Sequence, residues 1–108
     1  SFTGLDAIRF LKSYNITIAF MGASALSLEH GVSNSSPLEY EIKMTAMQRS
    51  AKSVLLIDCE KFGRTALLTY AQISDFDAIV TERVPAPEYA KACQDGGTEL
   101  IIANEDGE

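Results

Sequence analysis

The sequence has few of the residues that build histidine-rich metal centres, disulfide frameworks or membrane spans. His30 is the only histidine among the 108 residues, which excludes zinc sites built on several histidines. Cys59 and Cys93 are the only cysteines and form no C-x-x-C motif, so reduced thiols in a cytoplasmic protein are the simplest interpretation. Apolar runs stay far below the ~20 residues that cross a bilayer. No charged segment followed by an apolar one opens the sequence, so no signal peptide is predicted.

Positive charge is also scarce in this sequence. Nine lysine and arginine residues stand against 15 aspartate and glutamate residues, which gives a formal net charge of -6. Proteins contact the phosphates of DNA through basic faces, so this chain is a poor candidate for binding DNA by itself. Its acidic residues show no calcium-loop or zinc spacing, and the sequence predicts no metal and no cofactor.

Strand and helix patterns alternate around one apolar run. Residues 54–57 (VLLI) lack polar alternation, which is typical of a strand covered on both faces in a parallel sheet. Other strands are predicted at 16–21, 78–81 and 99–103, and residues 66–71 are interpreted as a strand or a helix, with a strand favoured. Helices are predicted from the Thr3 N-cap to about 13–15, from 37 to 52 and from 87 to 93. Residues 26–31 are interpreted as a helical turn or a loop, and 31–36 as a loop.

This alternation predicts an α/β domain with an open, largely parallel sheet and flanking helices. The domain is expected to occupy residues 1–103, and residues 104–108 form an acidic tail.

Lys43 has an unusual place on the helix predicted to begin after Ser36. It falls between the two sides of the helix's apolar arc, where a purely structural helix rarely places a charge. One interpretation is an i,i+4 ion pair with Glu39, and the other is an amine that leans toward a ligand. The nearby Met44 and Met47 suit the core or a subunit interface, and a homo-oligomer is expected.

Asp58 and Lys61 follow the end of the central strand. Open parallel sheets place their ligand crevice at the carboxyl ends of the strands. The two residues are interpreted either as a capping aspartate beside an exposed lysine, or as a phosphate or carboxylate site. In that site Lys61 supplies the point charge and Asp58 holds a sugar hydroxyl or orients the lysine.

A second candidate follows the predicted strand at 16–21. Gly22, Ala23 and Ser24 are small residues, which let a ligand approach the backbone closely. They are interpreted either as a tight turn or as an anion nest formed by backbone N–H groups and the Ser24 hydroxyl.

Several motifs follow one another in an order that carries a family resemblance. They are AFMGAS at 19–24, Glu29 and Gly31, then Glu39, Lys43 and Met47, then DCEKFG at 58–63, and IVTE at 79–82. The series resembles the C-terminal sensor domain of DeoR-family bacterial transcriptional regulators, over about residues 2–103.

The resemblance implies a fold shared with ribose-5-phosphate isomerases, glucosamine-6-phosphate deaminases and CoA transferases. It implies sensing of a phosphorylated sugar or a similar metabolite without turnover. It also implies an N-terminal winged helix-turn-helix that binds operator DNA and is absent here. The family's sensor domain extends further at its N-terminal side, so the chain is similar to the C-terminal part of such a domain. A cytoplasmic protein without a membrane partner is expected.

Carried over position by position, the resemblance assigns the ligand pocket to Gly22, Ala23, Ser24, Lys43, Asp58 and Lys61. The D-x-x-K spacing is also similar to the isomerases, in which that lysine lies near the substrate phosphate. Two positions depart from the family pattern. Glu60 stands where Ser or Thr is usual, and its carboxylate would repel a phosphate. Glu82 stands where Asp is usual.

Two alternatives to a sensor remain open from the residues alone. A small isomerase or deaminase of the same fold would need a carboxylate base with a second proton-transfer group. Glu29, Glu39 and Glu60 are the nearby candidates, and none has a clear partner in the sequence. A ligand-free dimerisation module is the other alternative. Fold analogy does not confer chemistry, so the sequence favours a sensor that is not an enzyme.

Overall fold

A computed structural model describes residues 4–103 of the chain. Its helices are α1 (Gly4–Lys12), α2 (Pro37–Arg49) and α3 (Pro87–Gly96). Its strands are β1 (Ile16–Met21), β2 (Ala25–Ser27), β3 (Gly31–Asn34), β4 (Ser50–Leu56), β5 (Leu68–Ala71), β6 (Ala78–Thr81) and β7 (Glu99–Ile102). Two short 3-10 turns span Cys59–Lys61 and Ile73–Asp75. Thr3 and the predicted acidic tail lie outside the described residues.

Two sheets share one core. β1, β4, β6 and β7 form a parallel sheet in the order β1-β4-β6-β7, and β2, β3 and β5 form an antiparallel sheet in the order β2-β3-β5. One apolar cluster joins them, with Leu55 and Ile79 from the parallel sheet, Leu26 and Val32 from the antiparallel sheet, and Cys93 from α3. The predicted α/β class with a largely parallel sheet and flanking helices is confirmed.

Most of the predicted elements are confirmed. The strands predicted at 16–21 and 78–81 match β1 and β6, and those at 66–71 and 99–103 contain β5 and β7. The helix opened by Pro87 extends to Gly96 and ends on Gly97. Gly97 has φ +75°, a left-handed conformation that glycine adopts at low cost and that terminates helices.

Helix α2 begins as predicted and ends earlier. The Ser36 side chain accepts the Glu39 backbone N–H at 3.4 Å, and Pro37 occupies the first turn. The helix was predicted to reach residue 52, which is wrong: it ends at Arg49, and Ser50 already belongs to β4. Residues 50–52 instead pair with β1, in the register Ile16↔Ser50 and Ile18↔Lys52. This long-range pairing outweighs the helical pattern of residues 50–52.

Residues 26–36 differ from the predicted turn and loop. β2 and β3 pair as an antiparallel hairpin, with Leu26 opposite Val32, and β3 continues the sheet to β5. Leu26 and Val32 are fully buried, and so is Ser33 of β3. The strands hold only three and four residues, and the second reads GVSN, so neither shows the apolar alternation that identifies a strand.

In the part of the chain that the structure describes, the parallel sheet is covered on one face only, which differs from the prediction for the central strand. Leu55 and Ile79 are fully buried, whereas Phe20 is 64% exposed and Leu56 49% exposed. Among residues 4–103 both the helices and the antiparallel sheet leave this second face open. No helix in the same range is long and apolar enough to cross a membrane.

Candidate functional site

A cavity of about 330 Å³ opens at the carboxyl ends of β1, β4 and β6. Its lining residues come from three strand ends and from the end of β7: Gly22, Ala23, Leu56, Ile57, Asp58, Lys61, Val80, Thr81, Glu82 and Ala103. The structure thus brings together four of the six residues proposed from the sequence, namely Gly22, Ala23, Asp58 and Lys61. Ser24 and Lys43 do not line the cavity.

Asp58 and Lys61 face one another across the turn Cys59–Lys61. Asp58 Oδ2 lies 3.9 Å from Lys61 Nζ, and the Asp58 side chain is 68% exposed. Asp58 occupies the N-cap position of the turn, yet its side chain makes no capping hydrogen bond. The interpretation of Asp58 as a simple cap is therefore not what the structure shows. Its carboxylate stands at the cavity beside a single ammonium group.

Lys43 lies behind the turn at 22–24. Its Nζ donates hydrogen bonds to the Gly22 carbonyl and to Asn34 Oδ1, each at 2.9 Å. Glu39 Oε1 lies 4.0 Å away, and the Tyr70 ring centroid lies 5.6 Å away. Burial lowers the pKa of Lys43 below its ordinary value, Glu39 opposes this shift, and the charge of Lys61 adds to it. Lys43 therefore supports the turn from the core side.

The rest of the turn is held in the same way. The Tyr70 hydroxyl donates to the Gly22 carbonyl at 2.8 Å. The Ser24 N–H donates to the Ser33 carbonyl at 3.0 Å, and the Ser24 hydroxyl accepts from the Asn34 amide at 3.3 Å. Ser24 thus uses its N–H as a donor and its hydroxyl as an acceptor within the protein, and Gly22 and Ala23 are the part of the turn that lines the cavity.

Gly22 has no steric reason inside the described chain to be glycine. A Cβ placed on it would meet no atom within 4 Å, and its φ is not positive. Gly31 contrasts with it: φ is +74°, and a Cβ there would come within 2.6 Å of the Ala71 carbonyl oxygen. Gly31 serves the hairpin, whereas Gly22 leaves open space beside the cavity.

Among the three charged residues that line the cavity, Glu82 is the one that was not proposed from the sequence. Its Oε1 accepts the Cys59 N–H at 2.7 Å and the Thr81 hydroxyl at 3.0 Å, and its Oε2 lies 3.3 Å from Arg83 Nε. Hydrogen bonds from the Cys59 N–H and from the Glu82 backbone N–H, with smaller contributions from Thr81 and Arg83, lower the pKa of Glu82 to about 2. Its position gave a signal, because Glu82 directly follows β6 just as Asp58 follows the central strand.

The lining groups suit binding better than catalysis. One ammonium and one carboxylate free of capping bonds stand beside a glycine-containing turn, whereas Glu82 and the Thr81 hydroxyl are bonded to each other. No lining residue is a histidine, a cysteine or a serine. Glu60, the acid predicted to repel a phosphate, is exposed and does not line the cavity. Within residues 4–103 no group of three or more His, Cys, Asp or Glu side chains is arranged to hold a metal.

The parallel sheet, the cavity at its strand ends and the order of motifs all agree with one family of regulatory domains. The sequence matches the family described as the DeoR C-terminal sensor domain over residues 1–83, and the chain belongs to that family. Its relatives are transcriptional regulators, so this is a family of regulators and not of enzymes.

Three curated relatives illustrate the match. The chain is 42% identical over 95 residues to the HTH-type transcriptional regulator IolR of Bacillus subtilis, which covers 88% of this chain and 38% of that protein. It is 27% identical over 103 residues to the HTH-type transcriptional repressor GlcR of the same organism, with 95% and 40% covered. It is 29% identical over 93 residues to the deoxyribose operon repressor of Escherichia coli, with 86% and 37% covered. The chain thus spans about two fifths of the length of these relatives.

Proposed function

We propose that this chain is the effector-sensing part of a transcriptional repressor of sugar metabolism, and that it binds a phosphorylated sugar or a related metabolite. One observation carries the proposal: Lys61 and Asp58 converge with the Gly22 turn in one cavity at the ends of parallel strands. An ammonium suits a phosphate, and a carboxylate suits a sugar hydroxyl. The name of one relative, the deoxyribose operon repressor, refers to a sugar, which agrees with this ligand class.

A ligand in this cavity would bridge two chain segments. Gly22 and Ala23 belong to the turn after β1, and Asp58 and Lys61 belong to the turn after β4. A ligand that binds one arrangement of these turns more tightly shifts the protein toward it. The full-length regulator would pass this shift to an N-terminal winged helix-turn-helix on operator DNA, in a cytoplasmic homo-oligomer.

The test is a binding screen on the full-length protein. Thermal shift and calorimetry would compare sugar phosphates with the corresponding free sugars. A ligand at one hundred times its Kd stabilises the folded state by about 2.7 kcal/mol, which a thermal shift detects. At least one sugar phosphate is expected to stabilise the protein, whereas its free sugar does not.

Matched lysine variants locate the binding. Lys61→Ala is expected to weaken the sugar phosphate affinity about tenfold or more, because it removes the ammonium from the cavity. Lys91→Ala is the control, since Lys91 pairs with Asp95 on α3 and lies outside the cavity lining. The proposal fails if no sugar phosphate stabilises the protein, or if the two variants weaken binding equally.

A further inference from the structure

Two carboxylates reach the cavity, and their surroundings differ. The Asp58 carboxylate lies 3.9 Å from Lys61 Nζ and makes no capping hydrogen bond to the turn that it precedes. The Glu82 carboxylate is held by three protein donors: the Cys59 N–H, the Thr81 hydroxyl and the Arg83 guanidinium. Glu82 has therefore committed both oxygens to the protein, whereas Asp58 keeps its acceptor capacity.

The Cys59–Glu82 hydrogen bond continues the pairing of β4 with β6 beyond the end of the sheet. The Ile57 N–H donates to the Val80 carbonyl at 3.0 Å. Two residues further along each segment, the Cys59 N–H donates to Glu82 Oε1 at 2.7 Å. A side-chain carboxylate thus takes the place of the next strand carbonyl. The donor is the first residue of the turn Cys59–Lys61, and Lys61 is the last.

We propose that Glu82 is a positioning residue for the ligand cavity. By capping the turn Cys59–Lys61 from the neighbouring strand, Glu82 holds the Lys61 ammonium toward the Gly22 turn. It also replaces Asp58 as the cap, which leaves the Asp58 carboxylate for the ligand. This inference deepens the proposed function and rests on it for the ligand. The capping itself is a property of the protein that can be measured without one.

The length of the side chain decides which substitutions keep the cap. Aspartate is shorter than glutamate by one carbon–carbon bond, about 1.5 Å, so its oxygen falls short of the Cys59 N–H. Glutamine keeps the length and an acceptor oxygen, although it loses the charge that faces Arg83. Glu82→Gln is therefore expected to keep the position of the turn, whereas Glu82→Asp and Glu82→Ala lose it.

Amide hydrogen exchange in the full-length protein tests the cap directly. Exchange in the segment 58–63 is expected to rise about tenfold or more in Glu82→Asp and Glu82→Ala and to stay near the wild-type rate in Glu82→Gln. Exchange at Leu55 and Ile79 should not change, which separates local release of the turn from unfolding. Glu88→Asp, at an exposed site on α3, is the control. The inference is overturned if Glu82→Asp exchanges like the wild type.

Binding of ribose 5-phosphate, with inorganic phosphate as a second probe, tests the consequence for the ligand. Glu82→Asp is expected to lower the affinity about tenfold, and Glu82→Gln is expected to restore most of it. Equal loss in both variants would show that the charge of Glu82 matters and its cap does not, which would overturn the positioning role. If neither probe binds the wild type, these probes do not support the proposed function, while the exchange experiment still decides whether Glu82 caps the turn.

Discussion

The two faces of the parallel sheet carry similar apolar residues, which are buried on one face and exposed on the other. On one face Leu55 and Ile79 are fully buried against the antiparallel sheet and the helices. On the other face Phe20 and Leu56 are 64% and 49% exposed. Leu55 and Leu56 are neighbours in one strand, so their different exposure comes from what covers each face and not from local sequence. An apolar strand pattern therefore shows which side chains can be buried. Whether each of them is buried depends on the elements that pack against that face of the sheet.

Truncation of the two neighbouring leucines tests this contrast with the largest expected effect. Leu55→Ala removes a fully buried side chain and is expected to lower the free energy of unfolding by about 3 kcal/mol, through lost burial and a residual cavity. Leu56→Ala, at the half-exposed neighbour, is expected to cost less than about 1 kcal/mol. Urea unfolding of both variants measures the difference. Equal losses would mean that the open face is as well packed as the core.

Gly31 and Gly22 differ in a similar way, because the backbone requires glycine at residue 31 and not at residue 22. Gly31→Ala is expected to lower the free energy of unfolding by more than about 1 kcal/mol, because φ is +74° and the added Cβ meets the Ala71 carbonyl. Gly22→Ala meets no atom and is expected to leave stability within about 0.5 kcal/mol of the wild type.

Gly22→Val tests whether the open space at Gly22 serves ligand binding. Its larger side chain is expected to fill part of the cavity and to weaken sugar phosphate binding in a calorimetric titration, with little change in the urea midpoint. A loss of stability as large as that of Gly31→Ala would show that Gly22 serves the fold. Unchanged binding would show that the ligand does not approach the turn.

The smallest expected effect concerns the pH dependence of stability that the Glu82 carboxylate contributes. The pKa of Glu82 is lowered from 4.5 to about 2, so the ionised form is favoured in the folded state. Its contribution to stability is complete above pH 4.5 and is lost as the pH falls toward 2. Relative to Glu82→Gln, the wild type is therefore expected to lose part of its stability across this window. Thermal unfolding at several pH values measures it, and a difference that does not vary with pH would contradict the assignment.

The sequence predicted those parts of the fold that local patterns specify. β1 and β6 are short apolar runs between polar residues, and α2 opens with Ser36 and Pro37, so their positions follow from nearby residues. The hairpin of β2 and β3 could not be predicted in this way. Its strands are short and partly polar, and burial in the core that the two sheets share, not alternation, identifies them.

The candidate site also has a part that the sequence predicted and a part that it could not predict. Strand ends predicted that Asp58, Lys61 and Gly22 would meet, because the ends of parallel strands share one edge of the sheet. The inward course of Lys43 to the Gly22 carbonyl depends on the placement of α2, which a helical pattern does not fix. The role of Glu82 depends on a hydrogen bond across 23 residues of sequence, and no spacing rule covers it.

Helix α2 runs into β4 without a connecting loop, since Arg49 ends the helix and Ser50 begins the strand. The junction therefore determines which side chains of β4 face the core and which face outward. Adding one residue at this point would turn β4 by half of its side-chain repeat, so that Leu56 points inward and Leu55 outward. The same shift would move Asp58 and Lys61 by one position at the far end, and the cavity would lose its pair of charges through a change made at the other end of β4.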